Sequence, residues 1–141
     1  MKAEREQEFE SAIMPHVNAL FQTALQLIED RAAAKEVVKE VCGAWRASGR
    51  RDPPADWRLP LFKLLIQRAR RRALKKTKGS ALALSGMPRA EREVLLLVDC
   101  HDFSYQQAAD ILDCSRDEIA ETVTRGRTRL ESTIGAYCEV R

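Results

Sequence analysis

The residues in this sequence that could serve as nucleophiles or metal ligands are its four cysteines and two histidines. They are Cys42, Cys100, Cys114, Cys138, His16 and His101. The cysteines lie far apart without a Cys-x-x-Cys pair, which fits neither a zinc site nor a disulfide framework. Cys100 and His101 are neighbours, but adjacent helical side chains point about 100° apart and cannot easily act as nucleophile and base. We therefore expect reduced cysteines that pack as small apolar side chains, with no metal and no cofactor.

Other catalytic patterns are absent from the sequence. It has no Gly-rich phosphate loop, no His-Glu-x-x-His and no Gly-x-Ser-x-Gly segment. The sequence therefore predicts a protein that is not an enzyme and that has no small-molecule substrate.

Charge is most concentrated between residues 68 and 78, where seven residues are basic and none is acidic. They are Arg68, Arg70, Arg71, Arg72, Lys75, Lys76 and Lys78. Such clusters are often solvated helix ends, because the helix dipole favours cations near the C-terminus. Seven cations exceed what a helix end needs, and phosphates are the anions that such a surface attracts. We therefore predict a nucleic-acid partner for this segment.

The two parts of the chain carry opposite net charge. Residues 1–87 hold 17 Lys or Arg against 10 Asp or Glu, a balance of +7, whereas residues 88–141 hold 7 against 11, a balance of −4. The first part is suited to a polyanion, and the second, taken as a whole, is not.

The length and composition of the chain limit the kinds of protein it can be. A chain of 141 residues with 45% hydrophobic and 32% charged residues is long enough for one domain or two small ones. No stretch approaches the roughly 20 apolar residues of a bilayer span, and glutamates occupy the first ten residues where a signal peptide needs an apolar core. The sequence thus predicts a cytoplasmic protein without a membrane partner. Few Gly, Pro and aromatic residues favour an all-helical chain.

Three helices are predicted in the first part from apolar residues that recur every three or four positions. The first runs from about Glu6 to Glu29, and Pro15 either interrupts it or starts its main segment. The second carries a stripe from Ala34 to Trp45 and ends near Ser48 and Gly49. After a loop, the third begins between Ala55 and Pro60 and continues through the basic residues.

The second part of the chain has the pattern of a helix-turn-helix. Pro88 opens a helix with an apolar block at residues 94–98. Ser104 caps a short helix, and a turn at residues 113–115 leads into a long helix from about Arg116 to Ile134. Ala109 offers the small side chain that two closely approaching helices need, Asp113 tolerates a left-handed turn position, and Ile119 packs the second helix on the first.

Together these elements predict an all-α protein of two small helical domains. The first spans residues 1–78, a short linker spans 79–87, and a helix-turn-helix domain spans 88–141.

The residues of this second domain resemble a known family. The segment MPRAEREVLLLVDCHDFSYQQAADILDCSRDEIAETVTRGRTRL, residues 87–130, is similar to region 4 of bacterial sigma factors of the extracytoplasmic-function (ECF) group. The segments LFQTALQLIEDRAAAKEVVKEVCGAW and LFKLLIQRARRRALKK are similar to region 2 of the same sigma-70 family. The resemblance covers residues 9–134 and predicts a sigma region 2-like domain followed by a sigma region 4-like domain.

The resemblance implies partners and site residues. RNA polymerase core would bind the second helix at Glu36, Lys39 and Glu40. Promoter DNA would be bound by both domains, and Trp57 could stack on an unpaired base or instead close the core at the helix entrance. The residues assigned to DNA are Trp57, Arg68, Arg70, Arg71, Arg72, Lys75, Lys76, Ser115, Arg116, Thr122, Arg125 and Arg127.

Two functions follow from this resemblance. The first is an ECF-type transcription initiation factor that binds RNA polymerase core and directs it to promoter DNA. The alternative is an adaptor that mimics a sigma factor and binds an anti-sigma factor without reading DNA. The acidic second half of the chain favours this alternative. Asp117 and Glu118 occupy the first turn of the long helix that would read DNA, and Glu121 stands where the family commonly carries a basic residue.

Overall fold

The described part of the chain is helical and contains no strand. The structure is a computed structural model that describes residues 2–48, 57–73 and 87–139, with side chains for residues 11, 13–48, 57–72 and 87–132. It divides into two compact units, Met1–Lys78 and Gly79–Arg141. The predicted all-α class with a helix-turn-helix in its second unit is confirmed. Most of the predicted linker lies outside the described residues.

The first unit is a bundle of three mutually packed helices, α1 (Lys2–Ile28), α2 (Arg31–Ala47) and α3 (Arg58–Ala73). Its core consists of side chains with almost no exposure, namely Leu20, Ala24, Val37, Val41, Leu61, Phe62 and Leu65. Helix α1 starts earlier than Glu6 and continues through Pro15, so the predicted interruption is wrong. Helix α3 is described to Ala73, and its predicted continuation to Lys78 lies outside the described residues.

Helix α2 shows how the sequence sets its own ends and its buried face. The Asp30 side chain accepts a hydrogen bond from the Ala32 N–H at 3.2 Å and so caps the first turn. The helix ends at Ser48, as predicted, where the Ser48 hydroxyl donates to the Trp45 carbonyl at 2.6 Å. Its predicted apolar stripe, Ala34, Val37, Val38, Val41 and Trp45, is buried.

Two tryptophans close one end of this core. The rings of Trp45 and Trp57 lie edge to face, with centroids 6.0 Å apart and planes at 69°. Trp57 is 7% exposed and Trp45 is 4% exposed. The prediction that Trp57 stacks on an unpaired base is therefore corrected, because its ring packs inside the first unit and offers no free face. The alternative prediction, a core residue at the helix entrance, describes its position.

The first described helix of the second unit is α4 (Arg89–Leu95), which continues directly into a π-helical turn, Leu96–Cys100. In that turn the His101 N–H donates to the Leu96 carbonyl at 3.1 Å, one residue further than an α-helical bond spans. The apolar block predicted as a core element is buried at Val94, Leu95, Leu96 and Leu97. The π turn was not predicted, since apolar periodicity does not distinguish a widened turn from an α-helical one.

The helix-turn-helix consists of α5 (Tyr105–Leu112) and α6 (Arg116–Glu139), so α6 extends beyond the predicted Ile134. Ser104 caps α5 in a reciprocal pair of hydrogen bonds with Gln107, at 3.1 and 2.9 Å. Asp113 ends α5 in the left-handed region at φ 55° and ψ 50°, as predicted. Ala109 and Ile119 are buried, at 3% and 1% exposure, which agrees with the close helix contact expected of them.

Candidate nucleic-acid and protein interfaces

The first candidate interface lies where α2 and α3 pack together in the first unit. Glu36 and Glu40 stand four residues apart on α2, and Arg68 and Arg72 stand four residues apart on α3. A spacing of four residues places each pair on one helix face, one turn apart. The sequence assigned the two acids to a polymerase surface and the two arginines to a DNA surface.

The structure brings these two predicted surfaces into contact. The Arg72 Nη2 donates to Glu40 Oε1 at 2.9 Å and to Glu36 Oε2 at 3.1 Å. The Arg68 Nη1 lies 3.8 Å from Glu40 Oε2. The hydrogen bond to Glu40, and then the one to Glu36, raises the pKa of Arg72. The four side chains therefore form one ion-pair network, which we call the α2–α3 clasp, with the guanidinium of Arg72 at its centre.

Not every predicted residue of this face belongs to the clasp. Lys39 on α2 and Arg71 on α3 are exposed. Arg70 is half-buried and has an interaction of its own. Lys75 and Lys76, predicted to bind DNA, lie outside the described residues. In the described part of the basic segment, residues 68–73, Arg71 is exposed to solvent, while Arg68 and Arg72 contact carboxylates.

The second candidate interface is the start of α6, the helix that a helix-turn-helix inserts into the major groove. Two of its predicted DNA-binding hydroxyls are used within the helix. The Ser115 Oγ accepts from the Glu118 N–H at 3.1 Å, which caps α6. The Thr122 Oγ1 donates to the Glu118 carbonyl at 2.7 Å and accepts from Arg125 Nη2 at 3.2 Å. Thr122 is only 7% exposed, so its hydroxyl faces its own unit.

Two arginines further along α6 are held by carboxylates from the α4 segment. Arg127 donates from Nε and Nη2 to the two carboxylate oxygens of Asp99, at 3.1 and 2.5 Å. Arg129 donates in the same manner to Glu91, at 2.8 and 3.5 Å. Hydrogen bonding to these acids raises the pKa of both arginines. The predicted role of Arg127 toward DNA therefore requires that it leave Asp99.

The charge left on the exposed face at the start of α6 is mostly acidic. Asp117, Glu118 and Glu121 are exposed there together with Arg116, and Arg125 is exposed one turn later. Acids in the first turn stabilise the helix through its dipole. They also repel phosphates, so this face is better matched to a cationic partner than to DNA.

Sequence reasoning missed the acids that hold the arginines. Glu91 precedes Arg129 by 38 residues, and Asp99 precedes Arg127 by 28 residues. No local spacing rule connects residues so distant in sequence. One signal was present in the sequence, since Glu91 precedes Val94 and Leu95 by three and four residues and so lies on the apolar side of the helix. A carboxylate there needs a cationic partner, and in the structure the Glu91 side chain is only 6% exposed.

Neither a thiol site nor a metal site is evident in the described residues. Cys42, Cys100 and Cys114 are free thiols, and burial raises the pKa of Cys42 and Cys100, which keeps them protonated. Among the described residues no cluster of His, Cys, Asp and Glu could hold a metal ion. In the same part of the chain no helix combines the length and apolar content that crossing a membrane requires.

Comparison with protein families gives a match in the second unit. Residues 81–130 match the family Sigma-70, region 4. No curated protein is significantly similar to the sequence.

Comparison with solved structures gives matches over most of the chain. CnrH in complex with the cytosolic domain of CnrY is 23% identical, with a TM-score of 0.75 over 93% of this chain and 90% of that chain. The sigma factor RpoE in complex with the anti-sigma factor NepR from Bartonella quintana is 21% identical, with a TM-score of 0.73 over 92% and 98%. PhyRSL in the NMR structure of its complex with NepR, from Sphingomonas sp. Fr1, is 18% identical, with a TM-score of 0.70 over 87% of each chain.

Proposed function

We propose that this protein is a regulator of transcription initiation that binds the partners of a sigma factor. Residues 81–130 match sigma-70 region 4, and the fold is shared with the sigma factor RpoE. This match and this fold support the resemblance to ECF-type sigma factors. The regulator works by binding, in the cytoplasm, and carries out no catalysis.

Of the two predicted modes, the described surfaces favour the adaptor that binds an anti-sigma factor without reading DNA. The observation that carries this choice is the face of α6, where Asp117, Glu118 and Glu121 are exposed while Arg127 is held by Asp99. Binding to DNA gains affinity when free cations displace counterions from phosphates. Here Arg127 and Arg129 are paired with carboxylates, and acids outnumber the exposed arginines at the start of α6.

The solved structures support a protein partner for this fold. RpoE is described in complex with the anti-sigma factor NepR, PhyRSL in complex with NepR, and CnrH in complex with the cytosolic domain of CnrY. Each is a helical chain of similar fold bound to another protein. We propose that this chain likewise binds a protein of the anti-sigma type.

Initiation at a promoter is the second candidate, and the exposed arginines favour it. Three exposed arginines could contact phosphates, namely Arg71 on α3 and Arg116 and Arg125 on α6. Lys39 is exposed on the predicted polymerase surface of α2. In this mode the chain binds RNA polymerase core through Glu36, Lys39 and Glu40 and promoter DNA through its arginines.

One set of binding experiments on the full chain separates the two modes. The tagged protein is incubated with purified core RNA polymerase, with purified candidate anti-sigma proteins from the same cell, and with promoter-length duplex DNA at low salt. The adaptor predicts retention of an anti-sigma protein and, when that protein is absent, no DNA shift, with or without polymerase. Retention of polymerase together with a DNA shift would establish the initiator instead, and failure to bind any of the three would remove both.

A further inference from the structure

We infer that the α2–α3 clasp is a removable cover over the arginines of α3, opened by a partner that carries cationic side chains. When such a partner pairs with Glu36 and Glu40, Arg68 and Arg72 are released to bind an anionic polymer. The inference rests on the proposed function, because it gives the protein partner a site on α2. It adds sequence-independent contacts between α3 and phosphates that depend on this partner, and these are distinct from the reading of promoter DNA by α6.

Exposure within the clasp determines which ligand meets it first. The Glu36 side chain is 64% exposed and that of Glu40 is 39% exposed, whereas the Arg72 side chain is 33% exposed. An incoming cation therefore reaches the acids directly. An incoming phosphate meets the same acids as repelling charges, and the guanidinium of Arg72 is already occupied by both of them.

The clasp is weak enough to open. Ion pairs exposed to solvent contribute little to stability, because water and salt screen them and two long side chains must be held still. The helices below do not depend on them, since Val37, Val41, Leu65 and Ala69 are buried in the same unit. The pair of Glu91 with Arg129 differs, because the Glu91 side chain is 6% exposed and loses its compensating charge if the pair breaks.

The two binding events are consequently linked. Each ligand must break the same ion pairs, a cationic partner to reach Glu36 and Glu40 and a nucleic acid to reach Arg68 and Arg72. The ligand that binds first supplies the free energy of breaking these pairs, so the second ligand binds more tightly. By thermodynamic linkage the increase in affinity is equal in both directions. The clasp thus weakens nucleic-acid binding by the free protein, and this binding becomes stronger once a partner has joined.

Four full-length proteins test the cover by a double-mutant cycle. They are the wild type, the Glu36→Gln/Glu40→Gln protein, the Arg68→Gln/Arg72→Gln protein, and the protein with all four changes. Affinity for a short fluorescent single-stranded DNA is measured by anisotropy over a range of salt. We expect the Glu-to-Gln protein to bind about 3- to 10-fold tighter than wild type, with a salt slope steeper by up to about 1.4 because two further cations reach phosphates. We expect the protein with all four changes to lose this gain.

A control separates the cover from a general effect of net charge. Asp110→Asn/Glu131→Gln removes two exposed acids from the second unit, and therefore changes the net charge by the same amount as the clasp variant. We expect it to change DNA affinity less than about 2-fold at moderate salt, where distant charges are screened. Circular dichroism and tryptophan fluorescence verify that each protein is folded, and Glu40→Gln alone provides a milder variant.

Three results would overturn the cover. They are an unchanged affinity in the Glu-to-Gln protein, a gain that persists when Arg68 and Arg72 are also replaced, and an equal gain in the control. Each concerns DNA affinity in the absence of any protein partner. The pull-down with anti-sigma proteins can therefore succeed when the cover fails, and the cover can stand when that pull-down fails.

Discussion

A side-chain carbon at Gly126 of α6 would lie 3.0 Å from Leu95 Cδ1 of α4. That separation is shorter than a normal van der Waals contact, so the missing Cβ lets the two helices of the second unit approach each other. Leu95 is 3% exposed, which leaves it little room to move. Close packing of the helix-turn-helix on α4 therefore depends on glycine at this position.

Replacing Gly126 and Gly43 by alanine tests this dependence. Gly126→Ala is expected to destabilise the protein by about 1 kcal/mol, since the strain of an added methyl group exceeds the gain in helix propensity. Gly43→Ala is the matched control, because nothing lies within 4 Å of its added Cβ, and it is expected to stabilise α2. Urea unfolding followed by circular dichroism measures both. A Gly126→Ala protein as stable as Gly43→Ala would contradict the tight contact.

The buried position of Trp57 predicts a stability effect in place of a DNA effect. Trp57→Ala is expected to lower the free energy of unfolding of the first unit by about 3 kcal/mol, since it empties a site packed against Trp45. Trp57→Phe keeps an aromatic ring and is expected to cost less than half of that. Tryptophan fluorescence reports on this unit alone, because Trp45 and Trp57 are the two tryptophans in the sequence. Normal stability with reduced single-stranded DNA binding would instead restore the stacking role.

The left-handed backbone of Asp113 predicts how the turn before α6 responds to substitution. Asp113→Ala is expected to cost about 1 kcal/mol, since alanine lacks the local hydrogen bonding that lets aspartate occupy φ 55°. Asp113→Gly is expected to be at least as stable as wild type, because glycine has no Cβ to clash. Unfolding of the second unit in urea, followed by circular dichroism, measures both proteins. Equal stability of the alanine and glycine proteins would show that the backbone at this position is not under steric constraint.

Charge reversal on α6 is expected to create affinity for DNA. The double change Ala120→Lys/Glu121→Lys places two cations on α6, one of them at Glu121, where the sigma family commonly carries a basic residue. We expect duplex DNA binding to appear with a salt slope of about −2 or steeper. Glu131→Lys, at an exposed position further along the same helix, is the control and is expected to give a smaller gain. Anisotropy with duplex DNA at several salt concentrations distinguishes them. Wild-type protein that already binds as tightly as the double variant would argue against the adaptor mode.

The pKa of His16 predicts a pH dependence of stability in the first unit. Partial burial, followed by the charge of Arg58, lowers this pKa below its value in the unfolded chain. The unfolded state then binds more protons, so the stability contributed by neutral His16 is complete above about pH 6.5 and is lost as the pH falls through the folded-state pKa. His16→Gln is expected to reduce the loss of stability between about pH 7.5 and pH 5.5, measured by urea unfolding with tryptophan fluorescence. His101→Gln, in the other unit, is the control, and an equal reduction in both proteins would exclude His16 as the cause.

The helices and turns were predictable because their signals are local. The apolar stripe of α2, the Ser104 cap and the left-handed Asp113 each depend on residues within one or two turns, and all three are present in the structure. The partners of the arginines were not predictable in this way. Arg72 meets Glu36 across 36 residues, and pairing at that distance is set by how the helices pack. The sequence therefore identified the charged residues of the candidate sites and could not say which of them neutralise one another.

The π-helical turn at Leu96–Cys100 has a consequence for how such chains vary in length. Its wider hydrogen-bonded ring contains one residue more than an α-helical turn. The chain therefore has one extra residue between α4 and the helix-turn-helix. Deleting one residue here would leave an ordinary α-helical turn at the end of α4. We expect insertions and deletions of a single residue among natural relatives to gather at this point, between two helices whose own lengths are fixed by packing.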